Sequence, residues 1–305
     1  MSPDVLICPA CGGRLTPWRT WPSAEPDLGP ARVDLARCER CRTAVSLGDP
    51  VRSAHSAGAY RPTRPRGAHL AAPLLSVFDR QRLSLLPPPP ARLIDAGAGR
   101  GRFVAAARLA GYQAIGIEPS LRDVDPTLGL INATIAEAPI VTGSADVVTL
   151  WHVLEHLEDP EAALGELRRW LVPGGTLVLG VPNLGSLQAR ISGGAWFHLD
   201  LPRHRTHFTV PGLRQLLRTC GFVPRDTRHL LAEHNPYGMW QSLVSLATER
   251  PGYLYNLLKH NAPALSPDLI LTLAALPLLP SAVLLEALAG LAGAGGTVAV
   301  IARRA

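Results

Sequence analysis

Six segments between Arg92 and Val181 alternate in character: Arg92 to Ala96, Gln113 to Ile117, Ala145 to Trp151 and Thr176 to Val181 are short apolar runs, whereas Val104 to Ala110 and Glu161 to Leu171 carry helical spacing. Strand and helix taking turns predict an α/β domain, a doubly wound parallel sheet with helices on both faces. Thr209 ahead of Val210-Pro211 predicts a capped helix start, and Gly221 after Cys220 a helix end. Cys220 is expected to be a buried structural thiol. A closing strand is expected at Thr297 to Ile301, after an apolar insertion at about 233–295. Upstream, the first fifty residues lack a core of their own, and residues 51–90 hold arginines and prolines, a helix through Phe78 to Leu86, and the stiff spacer Pro87 to Pro90. The chain therefore divides into 1–50, 51–90 and 91–305.

Within the insertion, Leu269 to Leu285 runs 17 residues without a charge, at the lower edge of what crosses an about 30 Å hydrocarbon layer. Pro277 and Pro280 interrupt it. Two short helices are expected, serving as a substrate cap, a membrane foot or a dimer contact through about 265–291.

The 305 residues are 47% hydrophobic and 18% charged, which excludes wholesale disorder. Net charge is +6, carried almost wholly by arginine, since Lys259 is the one lysine. That charge permits an anionic partner without demanding one. The first dozen residues show no secretory signal, so a cytoplasmic, reducing compartment is expected, with membrane association through the insertion.

Five cysteines in such a compartment point to metal ligation rather than bridges. Cys8-Pro-Ala-Cys11 and Cys38-Glu-Arg-Cys41 are two matched knuckles with 26 residues between them. Each lets two thiolates reach one ion, and together they complete the tetrahedron of a structural zinc site. Residues 1–50 are read as a zinc ribbon, whose loss upon Cys8→Ser is expected to unfold those residues alone.

Leu93-Ile94-Asp95-Ala96-Gly97-Ala98-Gly99-Arg100-Gly101 is a strand entering a glycine turn and then a helix. Such a turn lets backbone approach a ligand and aims unpaired N–H groups at it. Counting from Gly97, Arg102 stands where a dinucleotide fingerprint needs its third glycine, and a carboxylate at Asp95 suits a ligand bearing an ammonium group. Twenty-one residues beyond Gly97, Glu118 ends the next strand, where it can accept both hydroxyls of a ribose.

These residues, followed by Asp146-Val-Val-Thr-Leu-Trp-His-Val-Leu-Glu-His156-Leu-Glu-Asp-Pro160, Leu171-Val-Pro-Gly-Gly175 and Val181-Pro-Asn183, resemble the class I S-adenosylmethionine-dependent methyltransferases. The resemblance covers about Leu93 to Phe222 and the terminal strand. It implies a Rossmann-like, seven-stranded sheet of order 3-2-1-4-5-7-6, the last strand antiparallel, here preceded by a small zinc ribbon. It implies S-adenosylmethionine as cofactor and methyl donor, beside structural zinc. Asp95, Gly97, Ala98, Gly99 and Gly101 would hold the methionyl part, Glu118 the ribose, Ala136 and Glu137 the adenine, and Leu150, Trp151 and His152 the sulfonium side. The family often has an acidic residue where Ala136 stands. His156 is shared with the family and is read as structural.

Methyl transfer rests on positioning, with a base needed when the nucleophile must lose a proton. The segment Trp196-Phe-His198-Leu-Asp200-Leu-Pro-Arg203-His204-Arg-Thr206-His207-Phe208 follows the fifth strand, on the ligand-bearing edge of the sheet, and is read as a loop over the cofactor and substrate. His204 is the first candidate catalytic base, with Asp200 as partner and His198 second. A small-molecule or lipid-linked acceptor, methylated at oxygen or carbon, is the expected substrate. Two alternatives stay open: an RNA methyltransferase gripping nucleic acid through ribbon arginines such as Arg14, Arg19 and Arg37, and a non-catalytic adaptor that binds S-adenosylmethionine or works through its ribbon.

Overall fold

The computed structural model describes residues 6–23, 31–48, 72–120, 126–258 and 262–305. Seven strands form the main sheet: β4 (Arg92–Ala96), β5 (Gln113–Ile117), β6 (Leu130–Ile131), β7 (Ala145–Trp151), β8 (Leu171–Pro182), β10 (Phe222–Arg228) and β11 (Thr297–Arg304). Their order is β10-β11-β8-β7-β4-β5-β6, with β11 antiparallel to both neighbours. This is the expected 3-2-1-4-5-7-6 sheet. β4 and β7 are buried along almost their whole length, as parallel strands covered on both faces must be. Their register sets Asp95 beside Thr149, which places two polar side chains together under the sheet's ligand-bearing edge.

Two covering helices begin where their caps predict. Asp159 accepts the Ala162 N–H at 2.8 Å and precedes Pro160, so α3 (Pro160–Trp170) starts there and buries Leu164, Leu167 and Trp170. Thr209 caps α5 (Val210–Thr219) through the Gly212 N–H, and Gly221, at φ +77°, follows its end. Cys220 is half-buried, and its Sγ faces the Glu161 carbonyl at 3.9 Å. Burial lifts this thiol to about 11, so it is an inert packing group.

The cysteine-bearing segment forms β1 (Leu15–Pro22), β2 (Arg32–Cys38) and β3 (Ala44–Ser46), an antiparallel meander. One sulfur from each of Cys8, Cys11, Cys38 and Cys41 lies within 4.8 Å of the other three. Pairing of sulfurs lowers Cys41 to about 4 and raises Cys8 in step. Gly13 must lack a side chain, because a Cβ there would meet the Cys38 sulfur at 3.0 Å. Four thiols so crowded fit a structural zinc ion.

This ribbon is not a separate body. β9 (Thr206–His207), from the loop beyond β8, pairs with β3 and adds a fourth strand to the ribbon sheet. Thr209 Oγ1 donates to the Cys41 carbonyl at 2.6 Å, and Ser46 Oγ donates to the His204 carbonyl at 2.8 Å. Trp18 and Trp21 pack with Trp196, Leu199 and Leu201. Unfolding limited to the first fifty residues is therefore not what loss of a cysteine should cause.

The helix α1 (Ala72–Leu83) lies against the domain: Gln81 bonds the Leu230 carbonyl and the Ala232 N–H through its two amide ends. Residues 49–71, most of the expected connector, lie outside the described residues. The insertion between β10 and β11 holds α6 (Asn235–Val244), α7 (Tyr253–Leu258), α8 (Pro267–Ala274) and α9 (Leu279–Leu291). The two expected short helices are α8 and α9. A 3₁₀ turn, Leu276–Leu278, joins α8 to α9 in one helical run of 25 residues, Pro267–Leu291, that holds an 18-residue window of mean hydropathy 2.0, 17% of it buried. Pro280 sits in the first turn of α9, where its missing N–H costs nothing. By length and composition the run could cross a membrane, yet α9 is docked. Ala282 packs with Met239, Trp240 and Val244 of α6, and the buried Glu286 accepts from Nε2 of Gln188 on α4 (Leu187–Ser192) and from the Gly296 N–H, both at 2.8 Å.

Candidate active site

β4 delivers the chain into a turn at Gly97, Gly99 and Gly101, all with φ between +53° and +79°. Gly97 is required twice over, since a Cβ there would strike the Val153 side chain. Gly101 opens α2 (Arg102–Leu109) and lies over Leu128 and Leu130. Above the turn opens a cavity of about 530 Å³, lined among others by Gly97, Gly99, Glu118, Ser120, Trp151, His152, His156, His234 and Arg82.

Glu118, at the end of β5, holds one side of this cavity. Its Oε2 accepts the Gly99 N–H at 3.0 Å, while Oε1 accepts Ser120 Oγ at 2.6 Å and the Ser120 N–H at 3.1 Å. The carboxylate is thereby aimed by the turn it faces, with lone pairs to spare for a ligand. Asp95 lies deeper, 3% exposed, and accepts Thr149 Oγ1 at 2.6 Å. Burial raises it to about 6 against the pull of Thr149 and Arg82.

The two faces of β7 separate the expected sulfonium-side residues. Trp151 and His152 reach the cavity, whereas Leu150 points into the core with Val148, because successive side chains of a strand face opposite ways. Ala136 and Glu137 are exposed in a turn outside the cavity lining, where Thr134 Oγ1 donates to Glu137 at 2.8 Å. Ala98 packs against the sheet: a side chain on Gly116 would meet its Cβ at 2.6 Å.

His198, Asp200 and His204 meet behind the cavity wall. His204 Nδ1 donates to the His198 carbonyl at 2.9 Å, and its Nε2 stands 3.7 Å from Asp200 Oδ2. Burial, followed by the neighbouring His156 and His207, holds His204 well below the ordinary histidine range, and burial takes His198 to about 3. The wall itself presents His152, whose ring stacks 5.8 Å from His198 and 4.1 Å from His234. His152 has φ +55°, uncommon without a glycine, and its Nε2 is buried with no hydrogen-bond partner among the described residues. Its Nδ1 lies 3.1 Å from Glu155 Oε1.

Four lining or supporting groups escape sequence reasoning. Arg82 of α1 lies over the Trp151 ring at 4.7 Å and pairs with Glu233 at 2.6 Å. Glu233 also holds Arg102 at 2.6 Å, and His234, next in the chain, closes the cavity. No spacing rule joins residues 82, 102 and 233; only docking of α1 and the insertion brings them together.

A sheet of this order, a glycine turn at the end of its first strand and an acid closing the next define an α/β cofactor-dependent transferase. The family model for the methyltransferase domain matches residues 72–226, and the chain belongs to that family. It carries a class I S-adenosylmethionine-dependent methyltransferase domain. A ubiquinone biosynthesis O-methyltransferase of Cereibacter sphaeroides is 30% identical over 181 residues, covering 53% of this chain and 72% of that protein. A probable S-adenosylmethionine-dependent methyltransferase of Mycolicibacterium smegmatis is 29% identical over 141 residues, 44% of this chain, which spans about half, 53%, of that relative's length. Among solved structures, a chain of the complex of the Haloferax volcanii Trm112 methyltransferase activator shares the fold, with TM-score 0.51, 15% identity and coverage of 82% of this chain and 97% of that one.

The lining fits S-adenosylmethionine, the family's methyl donor: a glycine turn with all three φ values positive, a carboxylate aimed at the cavity and an aromatic wall.

Proposed function

We propose that the protein methylates a hydroxyl or carbon of a small, lipid-linked acceptor at the surface of a membrane. Bound in the cavity, S-adenosylmethionine supplies an electrophilic methyl group. Gly97, Gly99 and Gly101 would hold its methionyl part over Asp95, Glu118 its ribose, and Trp151 and His152 would face the sulfonium. His152 is the residue we assign as proton acceptor, because its Nε2 stands at the cavity with no hydrogen-bond partner among the described residues. His198, Asp200 and His204 then act as the row that supports this wall.

The observation carrying the lipid reading is the face of α8 and α9. Ile270, Leu273, Leu276, Leu278, Leu284, Leu288 and Leu291 are exposed, while the run's two acids, Asp268 and Glu286, are buried and bonded inward. An uncharged apolar face beside a methyl-transfer domain suits a helix lying in the plane of a membrane. A relative's chemistry points the same way, since the Cereibacter protein is named a ubiquinone biosynthesis O-methyltransferase. Label from methyl-labelled S-adenosylmethionine should enter the lipid fraction of a cell extract, and the protein should co-sediment with phospholipid vesicles. Leu284→Asp with Leu288→Asp should lower vesicle binding at least tenfold and leave cofactor affinity unchanged. Label confined to the aqueous or RNA fraction would overturn the lipid reading.

Asp95 adds a pH signature. Its folded value, about 6, lies above its ordinary 3.8, so its ionisation removes stability as pH rises from about 4 to 6. A cationic ligand above it favours the ionised form, and linkage makes the effect reciprocal. Calorimetric titration should show cofactor affinity level above pH 7 and weakening by up to about tenfold per pH unit below 6. Asp95→Asn should bind more weakly and lose this slope; a slope retained in the variant assigns it to another group.

A further inference from the structure

Beside the cavity, a group of side chains stands in an arrangement that methyl transfer by itself does not require. One ligand atom from each of Glu155, His156 and His204 lies within 4.8 Å of the other two. Glu155 is 1% exposed, and neither of its carboxylate oxygens has a hydrogen-bond partner among the described residues; His152 Nδ1 is near Oε1 but off the direction a hydrogen bond needs. A buried carboxylate left in that state calls for a cation.

The imidazoles are turned to supply lone pairs. A carbonyl can only accept, so the 2.9 Å contact from His204 Nδ1 to the His198 carbonyl fixes the proton on Nδ1 and leaves the lone pair on Nε2. Nε2 then faces Glu155 Oε1 at 3.9 Å and Asp200 Oδ2 at 3.7 Å. Acceptor faces acceptor at distances too long for hydrogen bonds, yet close to the about 3.4 Å edge of a tetrahedron with bonds of about 2.1 Å. His156 Nδ1 lies 3.3 Å from the Arg203 carbonyl, the same outer-shell device that orients metal-bound histidines.

We infer that Glu155, His156 and His204 bind a divalent transition metal ion, distinct from the ion held by the four cysteines. Two imidazoles and one carboxylate favour zinc and its neighbours over magnesium or calcium, which prefer all-oxygen sets. Three protein ligands leave a coordination position open. Because His156 also lines the cavity, the ion can polarise an acceptor oxygen there. That role rests on the proposed methyl transfer; the binding of the ion does not.

Untagged full-length protein, loaded with Zn²⁺ and desalted, should retain two equivalents by mass spectrometric metal analysis. Glu155→Gln and His204→Ala should each retain one. With Co²⁺ in place of zinc, the wild type should show the thiolate charge-transfer bands of the cysteine site plus sulfur-free d–d bands that both variants lose. A wild type holding one equivalent with a purely thiolate spectrum overturns the site, as do variants that keep both equivalents. Cofactor titration on the same samples separates the two proposals, since absent cofactor binding with two equivalents retained would refute methyl transfer alone.

Discussion

Glu118→Ala should raise the dissociation constant for S-adenosylmethionine about a hundredfold or more while leaving the fold intact. The carboxylate sits at the end of β5, aimed into the cavity by the Gly99 N–H and by Ser120. Two ribose hydroxyls donating to a charged acceptor contribute about 1.5–3 kcal/mol each, which sets the size of the loss. Stability should change little, because the groups released, the Gly99 N–H and Ser120, lie at the rim of a cavity that water can enter. Glu118→Gln should fall between the two, keeping one good acceptor and losing the charge. Calorimetric titration with circular dichroism as the fold check reads both quantities. A change of less than about threefold in Glu118→Ala would mean that the ribose is held elsewhere.

The spacing that led to Glu118 was legible because it is local. A βαβ unit has a narrow range of lengths, so an acid 21 residues beyond Gly97 must return to the same sheet edge. The sheet order was legible through resemblance, and the pairing of β4, β5, β7 and β8 follows it. What stayed hidden depends on contacts between distant segments. Thr206 and His207 read as part of a substrate loop, but their backbone completes the ribbon sheet some 160 residues away in sequence. His204 looked poised for catalysis by residue type alone; its burial and its bond to the His198 carbonyl place it behind the wall, with His152 in front. Glu155 was passed over for a related reason, since a glutamate before His156 carries no signal of being buried with both oxygens bare. Pro277 and Pro280 read as interruptions, and they stand where α8 gives way to the 3₁₀ turn and to α9; each falls in a first helical turn, so the pieces still follow one another in a single run, which no hydropathy window distinguishes.

Loss of the ribbon's zinc should disable methyl transfer without loosening the cofactor. Structural zinc contributes apparent binding free energies of about 10–16 kcal/mol in small domains, so residues 6–48 should not keep their fold with the ion chelated or with Cys8→Ser. The damage should then cross into the catalytic domain along identified contacts: the β3–β9 pairing, the Thr209 bond to the Cys41 carbonyl, the Ser46 bond to the His204 carbonyl and the Trp18–Trp21–Trp196 cluster. Those contacts hold the segment carrying His198, Asp200 and His204, which backs the imidazole wall. The glycine turn, Asp95 and Glu118 stand on β4 and β5, which the ribbon does not touch through any of these bonds. Hydrogen–deuterium exchange should therefore rise in 6–48 and in 196–212 together, with 92–96 and 145–151 still protected. Turnover should fall more than tenfold while cofactor affinity changes less than about threefold. Exchange that rises in 6–48 alone, with turnover preserved, would show that the ribbon rides on the enzyme without shaping its site.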